Sequence, residues 1–168
     1  MMNVRLAKIE DIDRISLVLA KSWKTAYRGI VDDDYLDALK EDHWVAFLTK
    51  GLNDDAIFSM VLCDGQEIVG VSVLTKSENE GKVHLISLYL LPDKIGHGLG
   101  HLFYSEIEKE IVNRGFNTCI LDVLENNKRA IRFYEEHGFT DTDTETPAVL
   151  GEKSYICKVF VKTLREGV

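Results

Sequence analysis

Residues 85–111 read L-I-S-L-Y-L-L-P-D-K-I-G-H-G-L-G-H-L-F-Y-S-E-I-E-K-E-I, and the rest of the chain can be placed around them. An apolar run ends at Pro92. Gly96, Gly98 and Gly100 follow at alternate positions, and Leu99, Leu102, Phe103, Ile107 and Ile111 then recur near a period of 3.6 with charges between them. This pattern predicts a strand, a glycine loop and a helix. The first amides of a helix lack intrahelical partners and point out of its end. Glycines let a ligand approach that backbone closely. The combination makes an anion site, and the usual anion is a phosphate or pyrophosphate.

Two phosphate-binding patterns fail here. The loop of nucleotide hydrolases needs Gly-Lys-Ser/Thr, but His101 and Leu102 follow Gly100. The dinucleotide fingerprint G-x-G-x-x-G would need a glycine at His101 or at Phe103. The spacing present is G-x-G-x-G. A second stretch, residues 121–139, reads L-D-V-L-E-N-N-K-R-A-I-R-F-Y-E-E-H-G-F. Asn127 stands where a helix cap belongs after a strand, and Gly138 where a glycine ends that helix. Tyr134 falls two turns inside, about 10 Å of rise from the cap.

The pair of stretches resembles the GNAT acetyltransferases. Ile95-Gly96-His97-Gly98-Leu99-Gly100 is similar to the family's pyrophosphate loop, Gln/Arg-x-x-Gly-x-Gly/Ala, except that Ile95 replaces Gln or Arg. Residues 121–139 are similar to its second motif at Asn127, Ala130, Phe133, Tyr134, Gly138 and Phe139. The resemblance implies an α/β (α+β) fold: a mixed, mostly antiparallel sheet of six to seven strands with helices on both faces. It also implies a splayed central strand pair. The implied activity is N-acetyl transfer from acetyl-CoA to an amine. The loop from Ile95 to His101 would cradle the pyrophosphate, with Asn127 nearby. The backbone of Leu88 and Leu90 would pair with the pantetheine arm, the Leu90 amide serving as oxyanion donor. Tyr134 matches the family's general acid.

Acetyl transfer to an amine also needs a proton acceptor, because an alkylamine with a pKa of about 10 is mostly charged near neutrality. Some family members carry a glutamate before the loop, and counting back eleven positions from Ile95 reaches His84. A neutral imidazole can accept a proton near pH 7. Asp122 and Glu125 are the alternatives, and Glu125 is also a candidate for the acceptor site. The phrase W-K-T-A-Y-R-G-I-V-D-D-D-Y-L, residues 23–36, looks like the paired N-terminal helices of a GNAT subgroup. Trp23, Tyr27 and Arg28 are therefore candidate substrate contacts; core packing is the other reading for Trp23. His97 and His101 stand four apart, but no third ligand accompanies them, so no metal is expected.

Elsewhere the chain fits one domain over residues 1–168. A first strand spans Val4 to Leu6. A helix runs from Asp11 to about Tyr27, and a second carries Tyr35, Leu36, Leu39, Trp44 and Phe47. Strands from Ile57 to Cys63 and Glu67 to Leu74 are joined through Asp64-Gly65, a hairpin signal. Asn79 to Lys82 turns into the central strand, and Asn117 to Leu124 is the strand after the glycine-loop helix. Phe139 starts a sixth strand, residues 140–147 read as strand end and loop, and Lys153 to Leu164 is the last strand. Cys63, Cys119 and Cys157 are an odd number without a C-x-x-C, which suits reduced core cysteines in a cytoplasmic protein. No apolar run is long enough for a membrane span. The net charge of −8 disfavours nucleic acid and suits a cationic partner. The expected partner is a small-molecule or peptide amine, and a homodimer is compatible with this reading. Two rival functions share the fold: a non-catalytic acyl-CoA-binding module, and transfer to a hydroxyl.

Overall fold

The computed structural model describes residues 1–164. Seven strands form one sheet in the order β1-β2-β3-β4-β5-β7-β6. They are β1 Met2–Leu6, β2 Ile57–Asp64, β3 Glu67–Lys76, β4 Lys82–Leu90, β5 Thr118–Leu124, β6 Thr140–Leu150 and β7 Lys153–Thr163. The helices are α1 Ile12–Ala26, α2 Asp33–Ala38, α3 Val45–Asn53, α4 Leu99–Asn113 and α5 Lys128–Glu136. Among the described residues only β4 and β5 pair in parallel, as expected for strands joined through a helix. The other neighbours are antiparallel. The β2–β3 turn is two residues long, with Gly65 at φ +62°.

Both faces of the sheet are covered, and the side-chain alternation of β2 shows how. Phe58, Met60 and Leu62 join Phe103, Tyr104, Ile107 and Ile111 of α4 on one face. Ile57, Val61 and Cys63 join Ile12, Ile15, Leu19 and Leu48 of α1 and α3 on the other. A strand buried on both sides carries an unbroken apolar run, as residues 57–63 do. In α4 the predicted stripe holds at Phe103, Ile107 and Ile111, all fully buried, whereas Leu102 is 44% exposed. The three cysteines are buried and unpaired, on β2, β5 and β7.

Two segments differ from the sequence reading. The single second helix is two, α2 and α3. Leu39 takes an extended conformation (φ −65°, ψ 120°), and the chain turns before α3 starts. The step of five from Leu39 to Trp44 does not keep one helical face, and the Trp44 amide donates instead to Ser16 Oγ on α1, at 3.0 Å. Residues 140–147, read as strand end and loop, belong to an eleven-residue strand. Its register with β7 breaks between Asp141 and Glu145, where Asp143 has φ +59°. The segment's polar composition is what made it read as a loop.

Gly70 on β3 sets how closely α4 and the end of β4 approach. A Cβ there would lie 2.7 Å from Leu90 Cδ2, 3.0 Å from Leu62 Cβ and 3.3 Å from Phe103 Cε2. Gly70→Ala should overpack this contact and destabilise the protein by about 1–3 kcal/mol. Equilibrium urea unfolding measures it; an unchanged midpoint would show that the side chains repack freely.

Candidate active site

The site begins where β4 and β5 part. They are hydrogen-bonded only through Lys82–His84 and Thr118–Ile120. Beyond that, β4 stays on β3 as far as Leu90, and β5 stays on β7 as far as Leu124. The gap between them is the predicted splay. The Leu91 amide donates to the Val69 carbonyl at 2.8 Å, so it faces β3. Successive backbone groups alternate along a strand, so the N–H and C=O of Leu90 face the gap. Ser22 Oγ of α1 donates to that Leu90 carbonyl at 3.0 Å.

A cleft of about 670 Å³ opens on the α4–α5 side of the gap. Leu88, Leu90, Ile95, Gly96, Gly98, Gly100 and His101 border it, with Asn127, Ala130, Phe133 and Tyr134 of the second motif. Gly96 and Gly98 have φ of +89° and +75°, a left-handed backbone that L side chains rarely adopt. Gly98 is the N-cap of α4, so the free amides of this helix start at the loop. Gly100 serves packing instead: a Cβ would stand 3.2 Å from Phe133 of α5. Lys128, Arg129 and Arg132 of α5 also border the cleft, adding positive charge opposite the loop. Helix-end amides, glycines and cations form a donor set that fits a polyphosphate.

A second, smaller cavity of about 60 Å³ lies in the gap, lined by Tyr27, Ile86, Ser87, Asp122 and Val123 among others. It shares Leu88, Tyr89, Asn127, Ala130 and Tyr134 with the cleft, so the two meet at the parted strands. Asn127 Oδ1 accepts from the Ala130 amide at 3.3 Å, capping α5 as its position predicts. This cap fixes the first turn of the helix that presents Tyr134. Burial pushes the Tyr134 phenol above its ordinary pKa, and the nearby Tyr27 phenol adds to the rise. Tyr134 therefore keeps its proton at neutral pH. The hydroxyls of Tyr27 and Tyr89 are 2.6 Å apart. Burial raises the pKa of both, most strongly for Tyr89.

The remaining sequence candidates fall in three groups. His84 lines neither cavity, but its Nε2 stands 3.7 Å from Asp122 Oδ1, so the two base candidates form one pair. Trp23 packs edge-on against Tyr27 at 4.7 Å between ring centroids and tilts against Trp44 at 5.5 Å, behind the small cavity. Arg28 is exposed and paired with Asp33 and Asp37 of α2. Glu125, His97 and Leu99 border neither cavity. His101 Nδ1 lies 2.7 Å from His137 Nε2 at the end of α5. Burial and the His101 charge lower the His137 pKa. Among the described residues no group of three or more His, Cys, Asp or Glu could hold a metal ion. No helix among them is long and apolar enough to cross a membrane.

Sequence reasoning missed Ser22, Thr25, Ala26 and Ile30, which close the cleft from α1 and the turn after it. No local signal marks them, since their role depends on packing against a strand nearly 70 residues away. Arg129 and Arg132 were missed as well, although a basic i, i+3 pair at the start of a helix is a signal that could have found them.

Known proteins agree with this geometry. The model of the Acetyltransferase (GNAT) family matches residues 18–139. Spermidine N(1)-acetyltransferase of Thermoplasma acidophilum is 28% identical over 159 residues, covering 91% of this chain and 97% of that protein. The uncharacterized N-acetyltransferase YuaI of Bacillus subtilis is 31% identical over 145 residues, covering 82% of this chain and 79% of that one. Among solved structures, the PaiA N-acetyltransferase of Thermoplasma acidophilum in complex with coenzyme A superposes with a TM-score of 0.77 at 23% identity, over 97% of this chain and 99% of that one. With a family match over most of its length and the glycine loop, the capped α5 and the parted strands in place, the chain belongs to the GNAT acetyltransferase family.

Proposed function

We propose that this chain moves the acetyl group of acetyl-CoA to a primary amine, by direct attack while both substrates are bound. The observation that carries this reading is the meeting of the two cavities at Leu88 and Tyr134. The cofactor reaches that point through the larger cleft and the acceptor through the small cavity bordered by Tyr27, Asp122 and Val123, so both can be bound together and no acyl-enzyme is needed. The loop from Ile95 to His101 and the basic side chains of α5 hold the diphosphate end of the cofactor. The gap-facing backbone of Leu88 and Leu90 takes the pantetheine arm, as an added strand would. The Leu90 N–H then faces the thioester oxygen as it gains charge. Tyr134, kept protonated by its burial, gives its proton to the departing thiolate. Asp122 borders the acceptor cavity with His84 behind it, so the pair takes the proton of the attacking amine. Two features support a small cationic amine as acceptor: the net charge of −8, and the likeness to a protein named for spermidine acetylation.

The test is a screen of polyamines, diamines, amino acids, peptides and alcohols with acetyl-CoA, followed by thiol release and product mass. Amine acetylation is the expected result. Turnover of alcohols alone would make the enzyme an O-acetyltransferase, and acetyl-CoA binding without turnover on any acceptor would make it a non-catalytic module. Three variants probe the roles. Gly98→Asp places a side chain and a negative charge in the loop and should abolish the rise in Tm that acetyl-CoA gives by binding the native state. Tyr134→Phe should lower kcat by roughly 10²-fold or more with acetyl-CoA affinity nearly kept; an unchanged single-turnover rate would make the tyrosine structural. Asp122→Asn and His84→Gln should each depress kcat/KM near neutrality and recover at high pH, where more of the amine is already uncharged. A flat pH response in both would move the base elsewhere.

A further inference from the structure

The imidazoles of His101 and His137 have no part in the chemistry described so far. His101 lies in the first turn of α4, three residues past the Gly98 cap, and borders the cleft. His137 is the C-cap of α5. The ring centroids are 4.9 Å apart, and Nδ1 of His101 stands 2.7 Å from Nε2 of His137. Phe133 packs on both rings, at 5.1 Å from His101 and 4.7 Å from His137, and Tyr104 lies 4.5 Å from His137.

This bond limits how many protons the pair can hold. A ring nitrogen either carries a proton and donates, or lacks one and accepts. At 2.7 Å one inner nitrogen must donate and the other accept. In the neutral pair each ring carries one proton. One further proton also fits: the shared N–H stays between the rings, and both outer nitrogens are then protonated. A second would put protons on both inner nitrogens and drive the rings apart. The intact pair therefore gains one proton, and gains it as a unit.

The surroundings place that charge beside the cleft. The outer nitrogen of His101, Nε2, is 3.9 Å from Glu136 Oε2, and Glu136 also borders the cleft. Burial holds the His137 pKa below its ordinary value; His101 and Lys162 add to the fall, and Glu108 and Glu136 oppose it. Lys162 of β7 and Glu108 of α4 are themselves an ion pair at 2.6 Å. The added charge thus lies toward His101. Around the cleft, however, the free amides of α4 and the side chains of Lys128, Arg129 and Arg132 are all positive. Before the cofactor binds, they oppose a further cation at the pair. A diphosphate among them brings negative charge and reverses that balance.

We infer that acetyl-CoA binding draws one proton onto the His101–His137 pair, so that cofactor affinity rises as the pH falls through the histidine range. The inference rests on the reading of the larger cleft as the site of the diphosphate. Linkage fixes the sign, since a proton taken up on binding is a proton that strengthens binding. One proton sets the ceiling at about tenfold in Kd per pH unit.

The experiment titrates acetyl-CoA calorimetrically into wild type and His101→Asn at about pH 6.5, near the ordinary histidine pKa. Buffers of different ionisation enthalpy give the protons taken up per cofactor bound. The 3′-phosphate of CoA itself titrates near about pH 6, so the quantity read is the difference between the two proteins with the same ligand. Wild type should take up roughly 0.3–1 proton more than the variant, and between about pH 8 and pH 6 its Kd should improve about 2- to 10-fold more. A second measurement uses wild type alone, so it stands whether or not the variant folds. The ring C–H resonances of His101 and His137, assigned through their contacts with Phe133, are followed against pH with and without saturating acetyl-CoA. Both should titrate together, with a midpoint about half to one pH unit higher in the complex. Equal proton uptake by wild type and variant would overturn the inference and leave the cofactor site standing. So would a His137 resonance indifferent to the cofactor, because the proton would then belong to a lone His101. Failure of acetyl-CoA to bind wild type would remove the proposed function, and the inference with it.

Discussion

The ladder between β4 and β5 holds for three residue pairs and then stops. Backbone donors and acceptors inside a sheet normally find partners in the next strand, and a buried group without one is costly. Here the middle of the sheet leaves the gap-facing edge of β4 open over its last residues. Ser22 covers one carbonyl, at Leu90. The rest of that edge is available to a ligand that carries amides of its own. Every other feature of the site serves either to keep this edge open or to bring a reactant to it.

Several contacts keep it open. On the outer side, Gly70 lets Leu90 and Phe103 close on β3, so the end of β4 is drawn toward β3 and away from β5. On the far wall, β5 is held by seven residue pairs with β7. Below the gap, Phe133 of α5 packs against Gly100 of α4, which fixes the spacing between the helix that follows the loop and the helix that carries Tyr134. Above it, the aromatic stack of Trp23, Tyr27, Trp44 and Tyr89 fills the space between α1 and β4. The opening is thus a preformed shape held from four sides, and binding need not create it.

What was legible in the sequence was local. Gly96 and Gly98 could be read because a left-handed backbone next to a helix start demands glycine. Asn127 could be read because a cap needs a short polar side chain before a helix. The parallel pairing of β4 and β5 followed from the helix between them. What was not legible depended on side-chain direction over long range. His84 and Asp122 were weighed as rivals, yet both project on the same sheet face from neighbouring strands and so stand together. Trp23 and Arg28 border neither cavity: one packs in the aromatic stack and the other pairs with the acidic residues of α2. Ser22 gave no signal at all, because a serine inside an apolar helix face looks the same whether it meets a helix carbonyl or a distant strand. The split between α2 and α3 was missed, although the step of five from Leu39 to Trp44 breaks the helical spacing.

The interrupted pairing between β6 and β7 bears on how the molecule meets its own kind. β6 is the last strand of the sheet, and an outermost strand offers a row of unpaired backbone groups to any passing chain. The irregularity at residues 142–144, with Asp143 in a left-handed conformation, bends that row out of line. Asp141, Asp143 and Glu145 also place like charges along it, so two such borders brought side by side would repel as well as mismatch. The local defect thus works against the sheet growing from one molecule into the next.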